Sequence, residues 1–95
     1  MRQVPIAMYM AGSCPVCLRA RAWLRAGGYR FVEHDVEVDP AAAAVVAAVS
    51  DPGTVPTFDI DGQLVVGFDP TLLRYVLRVA VERRRAAGEP HLAAQ

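Results

Sequence analysis

Cys14-Pro15-Val16-Cys17 contains the only two cysteines of the 95-residue chain. A thiol is a good nucleophile only as its thiolate, and the first turn of a helix favours negative charge. The pair sits where such a turn should begin. A short apolar run, Val4 to Met10, precedes it, and a helical pattern from Val16 to Ala26 follows. Cys14 falls at the N-cap and Pro15 at the first helical position, where its missing N–H costs nothing. The free amides of that turn would hydrogen-bond a Cys14 thiolate. Cys17, one turn deeper and under Cys14, is placed to attack a mixed disulfide formed there. This spacing suits a dithiol that cycles to a disulfide. Half a zinc site is the rival chemistry, but there is no second cysteine pair and His34 and His91 stand apart from each other. Two unrelated buried cysteines would not need the order strand, Cys-Pro-x-Cys, helix.

The elements that must position this pair follow from periodicity and turn residues. Val4 to Met10 reads as a first strand, nearly all apolar and so expected to be buried on both faces. Ala11-Gly12-Ser13 is the loop before the cysteines. The first helix should run from Pro15 to Ala26, with Cys17, Ala20 and Leu24 facing the core, Trp23 at its flank, and Gly27-Gly28 as its stop. Tyr29 to Val36 reads as a second strand, parallel to the first in a βαβ unit. Asp39-Pro40 starts a second helix through Val49, which Ser50-Asp51-Pro52-Gly53 ends. Asp61-Gly62 joins Thr57 to Ile60 and Gln63 to Val66 as a hairpin. Asp69-Pro70 opens a last helix carrying Leu73, Val76, Leu77, Ala80 and Val81 as one stripe, with Gly88 as its end. The order is β-α-β-α-β-β-α, an α/β fold with a four-stranded mixed sheet flanked by three helices. Residues 1–88 form one domain and residues 89–95 a tail.

Composition narrows the partners. Net charge is zero, with 10 basic and 10 acidic residues, which gives no reason to expect nucleic acid or an anionic membrane. The start of the chain is too short in apolar residues for a signal peptide, and no segment reaches membrane-spanning length. A cytoplasmic monomer is expected, and in that compartment a CxxC pair is more often catalytic than structural.

With these elements in place the chain resembles the glutaredoxin family, a minimal thioredoxin fold, over about residues 4 to 86. Three motifs carry the resemblance: Cys14-Pro15-Val16-Cys17, Thr54-Val55-Pro56 and Val66-Gly67-Phe68-Asp69-Pro70. The first looks like the family's CPYC with Val16 in place of tyrosine. It implies that Cys14 is the nucleophile and Cys17 the resolving thiol. The second resembles the family's TVP. It implies a cis Val55-Pro56 bond that presents the Val55 backbone to an extended thiol peptide, with Pro15, Val16, Thr54, Val55 and Pro56 in the substrate groove. The third has one glycine where glutaredoxins typically have two, although Gly67 and Asp69 still match the family's site for the glutamyl end of glutathione, and the resemblance places Gly67, Phe68 and Asp69 in the thiol-binding rim. Its Gly67-Phe68-x-Pro70 pattern looks like NrdH-type redoxins, which take electrons from thioredoxin reductase. Ala11 stands where many glutaredoxins carry a Lys or Arg that holds a glutathione carboxylate, with Arg21 as a substitute if it reaches back toward Cys14. The resemblance thus implies a thiol–disulfide oxidoreductase acting on disulfide-containing proteins. It implies no bound cofactor or metal, and glutathione, another small thiol or thioredoxin reductase as electron donor. An iron–sulfur carrier is the alternative, though such carriers usually have a single cysteine in CGFS.

Other residues have plainer expectations. His34 should be a half-buried edge-strand residue, Arg83-Arg84-Arg85 the solvated end of the last helix, and Tyr9 and Trp23 core. Phe68 is a candidate for the thiol-binding groove.

Overall fold

The computed structural model describes residues 4–88. The expected tail, 89–95, lies outside the described residues. The element order is β1 (Ile6–Met10), α1 (Pro15–Ala26), β2 (Val32–Asp35), α2 (Pro40–Val49), β3 (Thr57–Ile60), β4 (Gln63–Val66) and α3 (Pro70–Ala86). The strands form one sheet in the order β2-β1-β3-β4. β1 and β2 are parallel, from Ala7 opposite Val32 to Met10 opposite Asp35. β1 and β3 are antiparallel, as are β3 and β4. This is the mixed sheet with three helices that the sequence predicts.

Strand alternation decides what each face does. Ile6, Met8 and Met10 of β1 point to one face, with Phe58, Ile60 and Val65 beside them. That face carries the core, closed by Cys17, Ala20 and Leu24 of α1 and by Leu73, Val76, Leu77 and Ala80 of α3. The other face holds Ala7 and Tyr9, both only half-buried. The expectation of a strand buried on both faces is therefore corrected. Helix α2 lies over Tyr9 and His34 through Ala41, Ala42 and Val45, and its small side chains cover that face incompletely.

Two strands are shorter than the apolar runs suggest. Val4 is buried but lies ahead of β1, because Pro5 has no N–H to pair; the Pro5 carbonyl instead accepts the Asp61 amide at 2.8 Å. β2 begins at Val32 rather than Tyr29, since the Tyr29 amide is bound to the Leu24 carbonyl at 3.1 Å and so belongs to the end of α1. Tyr29 and Phe31 still pack on the core. No helix among the described residues is long and apolar enough to cross a membrane.

Candidate active site

β1 delivers the chain to the end of the sheet at Met10, and the Cys14 amide then bonds the Ala11 carbonyl at 3.1 Å, turning the backbone into α1. Cys14 is extended (φ −97°, ψ 108°) and caps the helix, with Pro15 next. Its sulfur accepts the Cys17 amide at 3.1 Å. One of the orphan donors of the first turn thus points at the sulfur, as an N-cap oxygen would receive it. Cys14 is half-buried, whereas Cys17 is 1% exposed. Burial and then the hydrogen bond to Cys14 push the Cys17 thiol up to about 11, with the Cys14 charge adding a little, against the opposing effects of the Ala11 backbone and Arg21. The two sulfurs are therefore unequal: one reaches solvent beside a donor, and the other is held neutral beneath it.

The register brings the remaining motifs to the same end. Tyr9 pairs with Thr57, and Thr57 pairs with Val66, so the entry to β3 and the exit of β4 flank the Cys14 loop. The Val55-Pro56 bond is cis. Pro56 and Thr57 are fully buried, and Val55 is half-buried against the core. Thr54 builds the loop: its hydroxyl donates to the Asp51 carbonyl at 2.8 Å, and its own carbonyl accepts the Thr57 hydroxyl at 2.9 Å. Gly67 takes φ +87°, a conformation L side chains rarely adopt, and its amide donates to the Pro56 carbonyl at 2.8 Å. The second and third motifs are joined by that bond. Asp69 caps α3 through one carboxylate oxygen, which accepts the Thr71 amide at 3.0 Å and the Leu72 amide at 3.3 Å.

Phe68 is half-buried and meets Trp23 edge to face, with ring centroids 6.1 Å apart. The Arg74 guanidinium stacks on Trp23 at 5.8 Å. Trp23 is thus half-buried, packed against the margin of the core and in contact with Phe68. Tyr9 is also half-buried, stacked on the edge-strand His34 at 5.3 Å. Arg21 does not reach back to Cys14; it forms a two-pronged ion pair with Glu33 of β2, in which its terminal nitrogen donates at 3.1 Å. Arg84 of the arginine run likewise forks onto Asp61 at 2.7 and 3.0 Å.

Sequence reasoning missed Asp35 and Glu37. A Cβ on Gly12 would lie 3.9 Å from an Asp35 carboxylate oxygen, and the Ser13 hydroxyl donates to Glu37 at 3.4 Å. The Glu37 amide is in turn fixed by Asp35 at 2.8 Å. The only signal was the position of two acids directly after a strand that should end beside the cysteines. Among the described residues no group of three or more His, Cys, Asp or Glu side chains converges to hold a metal ion.

Comparison with known proteins agrees with this geometry. The family model described as Glutaredoxin matches residues 6–65. An uncharacterized glutaredoxin-like 8.6 kDa protein from the rubredoxin operon of Clostridium pasteurianum is 30% identical over 64 residues, covering 67% of this chain and 85% of that protein. A probable glutaredoxin of Synechocystis is 34% identical over 65 residues, covering 67% of this chain and 74% of its own length. Among solved structures, the thioredoxin-like protein BC3987 superposes with a TM-score of 0.68 at 31% identity, over 75% of this chain and 97% of that one.

Proposed function

The chain belongs to the glutaredoxin family, and from that premise we propose that it reduces protein or mixed disulfides through a Cys14/Cys17 dithiol. The observation that carries this is the 3.1 Å bond from the Cys17 amide to the Cys14 sulfur, with Cys14 half-exposed and Cys17 buried beneath it. The Cys14 thiolate attacks one sulfur of the substrate disulfide, forming a mixed disulfide and expelling a thiolate. Cys17 then gives up its proton and attacks the Cys14 sulfur, expelling the second substrate thiol. The substrate gains two electrons, and Cys14–Cys17 becomes the disulfide. An external reductant restores the dithiol. Cys17, buried beside Cys14, favours this cycle over an iron–sulfur carrier.

The test is trapping. Cys17→Ser should accumulate a stable mixed disulfide with a disulfide-containing protein, and Cys14→Ser should accumulate none. Equal trapping by both variants would exclude the assigned roles.

For the donor, thioredoxin reductase or a small thiol other than glutathione fits best. Ala11 is uncharged and only 7% exposed, and Arg21 is engaged by Glu33, so neither supplies a cation for a glutathione carboxylate. A charged contact of that kind is worth about 1.5–3 kcal/mol, or roughly 10- to 150-fold in affinity. NADPH consumption with each donor system on the wild-type protein decides this. Turnover on glutathione as fast as on any other donor would overturn it. The cycle needs a reducing compartment, which the cytoplasm provides.

A further inference from the structure

The connections around the Cys14 thiol differ in charge from the chain as a whole. The connections at the redox end of the sheet are residues 11–14, 36–39, 50–56 and 67–69, and they contain Glu37, Asp39, Asp51 and Asp69 but no arginine. Asp35 ends β2 at the same place. The chain as a whole is neutral, and its arginines lie outside these connections, although Arg21 on α1 is near enough to act on Cys17. Arg21 is paired with Glu33, Arg74 lies on Trp23, and Arg84 is paired with Asp61. Arg19 is exposed on α1, two residues beyond the buried Cys17 and so on the face of the helix turned from the core.

Two of these acids are held against the loop that carries the nucleophile. Glu37 is bound by the hydroxyl of Ser13, the residue before Cys14. Asp35 lies beside Gly12 and accepts the Glu37 amide, which fixes the backbone between the two acids. The β2 side of the Cys14 loop is therefore edged by two carboxylates, opposite the Pro56–Gly67 side.

Resting on the oxidoreductase reading above, we propose that Asp35 and Glu37 are specificity-determining residues that select disulfides flanked by positive charge. Substrate proteins would present Lys or Arg beside the reactive disulfide, and anionic disulfides would react slowly. Charges of this kind act mainly on encounter, and salt weakens them because screening sets in within about 10 Å at 0.1 M.

The test uses the reduced wild-type protein and three small probes. These are cystamine, a dication; bis(2-hydroxyethyl) disulfide, which is neutral; and 3,3′-dithiodipropionate, a dianion. Single-turnover oxidation of Cys14 and Cys17 is followed by quenching with a maleimide. Each rate is divided by the rate of the same probe with dithiothreitol, which removes intrinsic reactivity. At low salt the normalised cystamine rate should exceed the dithiodipropionate rate by at least about threefold, and 0.5 M NaCl should shrink that ratio. Asp35→Asn with Glu37→Gln keeps the hydrogen-bonding oxygens and should bring the ratio close to one. A low-salt ratio near one, or a ratio unchanged in the double variant, overturns the selectivity and leaves the oxidoreductase intact. If the double variant does not fold, the wild-type ratio still tests the selectivity, and the single variants Asp35→Asn and Glu37→Gln test the two residues: a ratio unchanged in both overturns their role. Failure of all three probes to oxidise the dithiol overturns the oxidoreductase reading, and the selectivity with it.

Discussion

The Gly67 amide donates to the Pro56 carbonyl at 2.8 Å, so the loop entering β3 and the loop leaving β4 form one wall beside the cysteines. That bond depends on Gly67 holding φ +87°, with open space around the position where a Cβ would sit.

Gly67→Ala should therefore cost conformational energy without a clash. The penalty expected for a side chain in this region is about 1–2 kcal/mol. Urea unfolding should show a loss of that order, and turnover with a protein disulfide should fall as the Pro56 contact loosens. Unchanged stability would mean that the loop has shifted to relieve Gly67.

Thiol labelling should be asymmetric. Cys17 is 1% exposed and its thiol is pushed up to about 11, whereas Cys14 reaches solvent. A short iodoacetamide pulse near pH 7, read by peptide mapping, should modify Cys14 well before Cys17. Equal labelling would contradict the burial of Cys17.

The raised Cys17 thiol has a consequence for stability. Its neutral form is favoured in the fold, from an ordinary 9.0 up to about 11. The unfolded chain therefore loses this proton first as pH rises. The stabilisation is fully present below pH 9 and is lost as pH climbs toward 11. By pH 10 the loss should be about 1 kcal/mol. It is read as the difference in unfolding free energy between reduced wild type and Cys17→Ala, measured at pH 7 and pH 10. A gap that does not narrow would refute the shift.

Asp69 tests a division of labour at the rim. One of its carboxylate oxygens caps α3 through Thr71 and Leu72. Asp69→Ala should cost about 1 kcal/mol, and Asp69→Asn should recover most of it, because Asn caps nearly as well. Thermal unfolding of the two variants separates them; equal losses would mean that charge, not capping, holds this corner.

The sequence alone determined what depends on neighbours along the chain. Cys14-Pro15, Asp39-Pro40 and Asp69-Pro70 each cap a helix where the residue types require it. The hairpin strands, Thr57–Ile60 and Gln63–Val66, lie as the Asp61-Gly62 turn places them. Caps and tight turns are closed by groups a few residues apart, so residue type and spacing specify them directly. The Cys14–Cys17 relation is of the same kind, one helical turn long. The tertiary structure decided the longer-range pairings. Arg21 could turn toward Cys14 until β2 offered Glu33, twelve residues away. Glu37 meets Ser13 across twenty-four residues. β2 starts at Val32 because Tyr29 was already bound to the end of α1. A long charged side chain has many rotamers of similar energy, and only a partner fixed by the packed sheet selects one. The sequence therefore specified the dithiol and the frame that carries it, while packing decided which charges surround the nucleophile.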